Sequence, residues 1–195
     1  MSRIYNIFAT AIVAAGLTSG LAAGTMPHVT PLKTRDIRGA SHVIPEPKKL
    51  ATVLIFIAHD CPISNSYAPE IVRLAAKYSS RGVSFDLVYA EPGFTDAKAA
   101  AHEKAYSYNL PAFTSEWRTL VRAAGVTATP EAVVLAPDGR ILYRGRINNQ
   151  YADLGVRRQH ATSADLAAAL DDILAGKPVR TAQTKAIGCY VSANG

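Results

Sequence analysis

The chain has 195 residues, 49% of them hydrophobic and 18% charged, with a formal net charge of +6. That balance fits one globular domain with a sizeable core and excludes a disordered or low-complexity chain. The basic residues are scattered, with pairs at Lys48-Lys49 and Arg157-Arg158 but no interleaved aromatics, so no nucleic-acid partner is expected.

In chain order, Arg3 precedes an apolar stretch from Ile7 to Leu17 and then the small-residue run Ser19-Gly20-Leu21-Ala22-Ala23-Gly24. A positive start, a short apolar core and a small-residue exit read as a secretory signal peptide over residues 1–23, which implies a periplasmic or secreted protein. The alternative is an uncleaved anchor, which would be the chain's only membrane contact. No cysteine follows the apolar run, so a lipoprotein is not expected. Residues 24–49 contain Pro27, Pro31, Pro45 and Pro47 without periodicity and read as an extended lead-in segment.

The domain is expected over residues 50–178. Leu50 to Ala58 is a continuous apolar run suited to a strand buried on both faces. Ile71, Val72, Leu74, Ala75 and Tyr78 recur at helical spacing until Gly82, and Val83 to Ala90 is the next strand, which makes a βαβ unit. Helices follow over 95–108 and 116–124, the second stopped by Gly125. Two β runs, Glu131 to Ala136 and Ile141 to Arg146, join through Pro137-Asp138-Gly139-Arg140 as a hairpin. Thr162 with Asp165 reads as a capping box for a helix lined by Leu166, Leu170, Ile173 and Leu174 and ended by Gly176 and Pro178. Residues 179–195 form a tail carrying Cys189.

Cys61 falls where the first strand gives way to a helix, so backbone N–H groups of the first turn are expected to face its sulfur and favour the thiolate. Asp60 opposes this charge, and Ser64 is placed to donate a hydroxyl hydrogen bond to the sulfur. The competing reading of Cys61 is a small apolar residue at a strand end. Only one other cysteine, Cys189, is present, and the count allows one disulfide without requiring it.

The run Cys61-Pro62-Ile63-Ser64-Asn65-Ser66-Tyr67-Ala68-Pro69, followed by Gly125-Val126-Thr127-Ala128-Thr129-Pro130, resembles the active-site turn and Thr-Pro segment of the thioredoxin superfamily. The helices before Gly125 look like its redoxin branch, which includes peroxiredoxin-like and thiol-disulfide exchange proteins. Arg144 to Tyr151 and Gly188-Cys189 are similar to segments of exported redoxin-domain proteins. The resemblance implies an α/β fold, a thioredoxin-like three-layer sandwich with a central mixed β-sheet and an inserted helical segment. It also implies a cis Pro130 facing Cys61, with Pro62, Thr129 and Pro130 contacting substrate and the Thr129 backbone free to pair with a substrate strand.

The departures narrow the chemistry. Ser64 stands where thioredoxins carry their second cysteine, and Ile55 stands where they bury an acid. Ala58 and Leu54 replace the threonine and proline that peroxiredoxins place before their reactive cysteine. Cys189 is therefore a distant resolving thiol, a structural staple or an unpaired tail residue. The function implied is a thiol-disulfide oxidoreductase with Cys61, Ser64 and Cys189 as catalytic residues. Its partners would be protein or small-molecule thiols and disulfides and a separate reductant, with no cofactor and no metal. Two alternatives stand beside it: a redox-inactive or copper-handling module with His59 near Cys61 and His160 in a later loop, and a peroxidase.

Overall fold

The computed structural model describes residues 28–193. The expected leader over residues 1–23 lies outside them, and no helix among the described residues is long and apolar enough to cross a membrane. In the segment read as a lead-in, β1 (Leu32–Arg35) and β2 (Ser41–Ile44) form an antiparallel hairpin, with Leu32 opposite Ile44. Val29 and Ile44 are buried in the core, so this segment packs as part of the fold. Four-residue strands with mixed exposure carry too short a pattern to be read from sequence.

The fold is organised by β3 (Ala51–Ile57), every residue of which is buried. After it come α1 (Pro62–Ser66), α2 (Ala68–Ser79), β4 (Val83–Tyr89), α3 (Asp96–Tyr106), β5 (Ala112–Phe113), α4 (Trp117–Ala124), β6 (Ala128–Thr129), β7 (Glu131–Leu135) and β8 (Ile141–Gly145). The expected first helix is thus two helices that part at Tyr67, which places Pro69 in the first turn of α2, where a missing N–H costs no helical bond. A five-stranded mixed sheet runs in the order β5-β4-β3-β7-β8, with β4 parallel to β3 and to β5, and β7 antiparallel to β3 and to β8.

Side chains alternate across a strand, and β3 shows how this builds three layers. Val53, Ile55 and Ile57 point to one face, where Ile71, Leu74 and Tyr78 of α2 meet them. Leu54 and Phe56 point to the other, against Trp117, Leu120 and Val121 of α4. Burying each such side chain is worth about 1.5–3 kcal/mol, so the two faces together supply the scaffold's main driving force. The fold is the expected three-layer α/β sandwich with a central mixed sheet.

Beyond β8, a small hairpin of β9 (Tyr151–Asp153) and β10 (Val156–Arg157) leads to α5 (Asp165–Leu174), which buries Leu166 and Leu170 on the α2 face. The capping box expected at Thr162 does not form. The Thr162 hydroxyl accepts from Asn149 Nδ2 (2.7 Å), and Ala164 rather than Thr162 precedes the helix. The tail carries β11 (Cys189–Tyr190), and its Val191 and Ala193 are buried on the α4 face.

Asp86 of β4 lies on the α4 face and is 6% exposed. Burial pushes its carboxyl up to about 7, Glu46 and Asp36 add to the rise, and His42 opposes it. An acid whose pKa is raised by folding binds more protons in the native state than in the unfolded one between those two values. Stability from this group therefore increases as pH falls from 8 to 5. Replacing Asp86 by Asn removes that dependence, so urea unfolding at pH 8 and pH 5 should differ by about 3 kcal/mol less in Asp86→Asn than in the unmodified chain. Equal pH slopes in the two proteins would refute this account of the buried carboxyl.

Candidate active site at the Cys61–Cys189 disulfide

Past the end of β3 the chain turns, with the Cys61 N–H donating to the Ala58 carbonyl (3.3 Å). Cys61 is the N-cap of α1 in extended conformation, and Pro62 is the first helical residue. The Cys61 side chain does not cap the helix. Its sulfur is bonded instead to Cys189, whose Cα lies 6.2 Å away across a sequence separation of 128. The sulfur also lies 3.3 Å from the Thr129 carbonyl oxygen, a contact without a proton to share while the disulfide is formed.

Ser64 is buried, but its hydroxyl accepts from the Ala58 N–H (3.5 Å) and makes no hydrogen bond to the Cys61 sulfur among the described residues. In this disulfide-bonded state Cys61 has no thiolate for Ser64 to stabilise, and the Ser64 side chain closes the end of β3. Pro62 is exposed on the rim of the site.

Thr129-Pro130 is a cis peptide next to Cys61, as the resemblance implied. The β6 edge is not free. The chain's own tail fills it, with β11 antiparallel to β6, Cys189 opposite Thr129 and Tyr190 opposite Ala128. Gly188 makes this approach feasible, because a Cβ there would overlap the Thr129 carbonyl and crowd the Pro130 nitrogen. Hydrogen bonds secure the tail on both sides of Cys189. Upstream, Arg144 N–H donates to Ala182 O (2.9 Å) and Thr184 N–H to Arg144 O (3.0 Å). Downstream, Val191 N–H donates to Thr127 O (3.1 Å) and Arg122 Nη1 to Ala193 O (3.2 Å).

A polar frame that the sequence did not reveal holds the two walls. Glu131, buried directly after Pro130, accepts from the Thr127 N–H (3.0 Å) and the Ala128 N–H (3.3 Å), and burial raises its carboxyl above the usual range despite those bonds and nearby Arg144. Arg144 Nη1 donates to the carbonyls of Ala124 (3.1 Å) and Gly125 (3.0 Å), against a Gly125 whose φ of +67° a side chain would strain. The one available signal was a charged residue inside an apolar β run, at Glu131.

On the α1 side, the Tyr67 hydroxyl donates to Asn148 Oδ1 (2.9 Å), and burial pushes its phenol up to about 12. The Asn65 amide donates to the His59 carbonyl (2.7 Å), and its Oδ1 pairs with His102 Nε2 (3.0 Å), whose Nδ1 meets the Tyr89 hydroxyl (2.9 Å). His59 stacks on Phe94 at 4.6 Å and pairs through Nδ1 with Glu91. The donor atoms of His59, Asp60 and Glu91 lie within 4.8 Å of one another, an oxygen-rich set without thiolate in which His59 and Asp60 are exposed and Glu91 is half-buried. Cys61, the soft ligand of the copper reading, is committed to the disulfide. His160 is exposed in the segment leading to α5.

No protein-family model matches the chain, and no curated protein matches it either. Solved structures do. A hypothetical protein from Sinorhizobium meliloti is 24% identical with a TM-score of 0.75, the match covering 86% of this chain and 93% of that one. An uncharacterised conserved protein from Geobacillus kaustophilus is also 24% identical at a TM-score of 0.75, covering 86% and 91%. A secreted Mycobacterium tuberculosis disulfide oxidoreductase homologous to E. coli DsbE is 18% identical at a TM-score of 0.52, covering 74% and 95%. The thioredoxin domain of a Bacteroides vulgatus thiol-disulfide oxidoreductase is 16% identical at a TM-score of 0.50, covering 62% and 86%, and together these likenesses establish a thioredoxin-like fold for this chain.

Proposed function

We propose that the protein is a thiol-disulfide oxidoreductase in which Cys61 and Cys189 form the redox pair. The observation that carries this reading is the disulfide itself, seated between the start of α1 and cis Pro130, where the resemblance puts a thioredoxin-like redox centre. Cys189 supplies the second sulfur that Ser64 does not. In the oxidising direction, two substrate thiols give up two electrons and two protons to the pair and leave as a disulfide; in the other, the dithiol reduces a substrate disulfide. Protein or small-molecule thiols and disulfides are the substrates, and a separate thiol reductant or disulfide oxidant resets the pair. The signal-peptide reading of residues 1–23 places this activity outside the cytoplasm, where disulfides persist.

The competing reading, a structural staple, is favoured by the backbone hydrogen bonds that fasten the tail on both sides of Cys189. A redox titration of the native protein against dithiothreitol or glutathione, quenched by alkylation and read by intact mass, separates the two. A redox pair should titrate at roughly −270 to −120 mV, whereas a staple lies below about −300 mV. Cys61→Ser should abolish the complete two-electron cycle, in which a partner disulfide is converted to two thiols or the reverse through the internal bond; retention of full turnover would remove Cys61 from the mechanism.

The seat of Gly188 generates a second expectation. Gly188→Ala forces the tail away from the Thr129 carbonyl and so weakens the disulfide relative to the dithiol. Its midpoint should rise by about 30 mV or more, equivalent to about 1.4 kcal/mol. A midpoint identical to that of the unmodified protein would show that the β6–β11 contact does not set the bond's stability.

A further inference from the structure

The two sulfurs are not equally accessible. Cys61 is 1% exposed and belongs to the core cluster formed with Ile57, Ile63 and Tyr67, while Cys189 is only partly buried and is followed by Tyr190, 82% exposed. Thiolate attack on a disulfide is collinear: the nucleophile approaches along the extension of the S–S axis, behind the sulfur it attacks. Cys61, 1% exposed inside the core cluster, offers an incoming thiolate no approach from solvent, whereas Cys189, only partly buried, keeps a solvent-facing side.

The covering is also independent of the bond. β11 lies along β6, Gly188 rests on the Thr129 carbonyl, and the tail's backbone hydrogen bonds to Arg144 and Thr127 do not involve sulfur. Reduction therefore leaves Cys61 under the tail and Cys189 at the surface. The groove along Thr129, through which a substrate strand would reach Cys61, is the one the tail fills.

We infer that Cys189, and not Cys61, is the sulfur that exchanges with partners, and that Cys61 is the buried resolving thiol. This rests on the exchange reading above and reverses the order of attack that the position of Cys61 suggests. An incoming thiolate forms a bond to the Cys189 sulfur as the Cys61–Cys189 bond breaks, and the electron pair leaves on Cys61 as its thiolate. A second partner thiol then attacks the partner sulfur of the mixed disulfide, releasing the partner disulfide and the Cys189 thiol. In the opposite direction, the Cys189 thiolate attacks a partner disulfide, expelling one partner thiolate, and Cys61 displaces the second to restore the internal bond.

The test uses the full chain reduced under native conditions with a phosphine, then pulsed with iodoacetamide and mapped by peptide mass. Cys189 should be modified at least about tenfold faster than Cys61. Equal rates, or faster labelling of Cys61, would overturn the inference while leaving the exchange reading standing. With glutathione disulfide as probe, Cys61→Ser should acquire the mixed disulfide at least about tenfold faster than Cys189→Ser. The reverse order would likewise overturn it. A bond that the phosphine reduces only after denaturation would mark a staple and remove the exchange reading itself, an outcome distinct from a wrong order of attack.

Discussion

The tail strand lying along Thr129 is the contact on which the site depends. Two residues of β11 pair with two of β6, and the pairing is close enough that position 188 has no room for a side chain. That single contact places Cys189 opposite Thr129, covers Cys61 and fills the strand edge beside cis Pro130. The disulfide is a consequence of this placement as much as its fastener, because the hydrogen bonds on both sides of Cys189 act without it.

The sheet makes the contact possible by holding both walls. β3 is buried along its whole length between a parallel and an antiparallel neighbour, and it delivers Cys61 to the end of the sheet. Next to it, β7 begins with Glu131, whose carboxylate gathers the N–H groups of Thr127 and Ala128. Arg144 on β8 ties the turn before β6 to the sheet through the carbonyls of Ala124 and Gly125. A buried acid is costly unless its oxygens are satisfied, so Glu131 also specifies one conformation for the segment that receives the tail.

Drawing the second sulfur of the proposed redox pair from the tail changes what that pair is coupled to. A pair three residues apart closes a small loop, whereas Cys61 and Cys189 are separated by 128 residues. In the chain-entropy model such a loop contributes about 5 kcal/mol to stability, a large part of what holds an ordinary domain together. Reduction of this bond therefore acts on the whole fold as well as on the site. The dense hydrogen bonding of the tail offsets that loss by keeping Cys189 near Cys61.

The amino-acid sequence by itself determined the scaffold and the position of the Cys61 turn. Seven consecutive buried residues in β3, the helical spacing of Ile71 to Tyr78 and the Pro137 to Arg140 turn are local patterns, and local patterns survive without knowledge of the fold. Cys61 and the Thr129-Pro130 segment were legible because each is a short motif at an element boundary. Tertiary structure alone decided the rest. The strands β6 and β11 have two residues each and exist only because 60 residues of chain bring them together, so no periodicity announces them. The same holds for the pairing of Cys61 with Cys189 and for the turning of the Ser64 hydroxyl to Ala58. Which sulfur faces solvent is a property of packing, and packing is non-local.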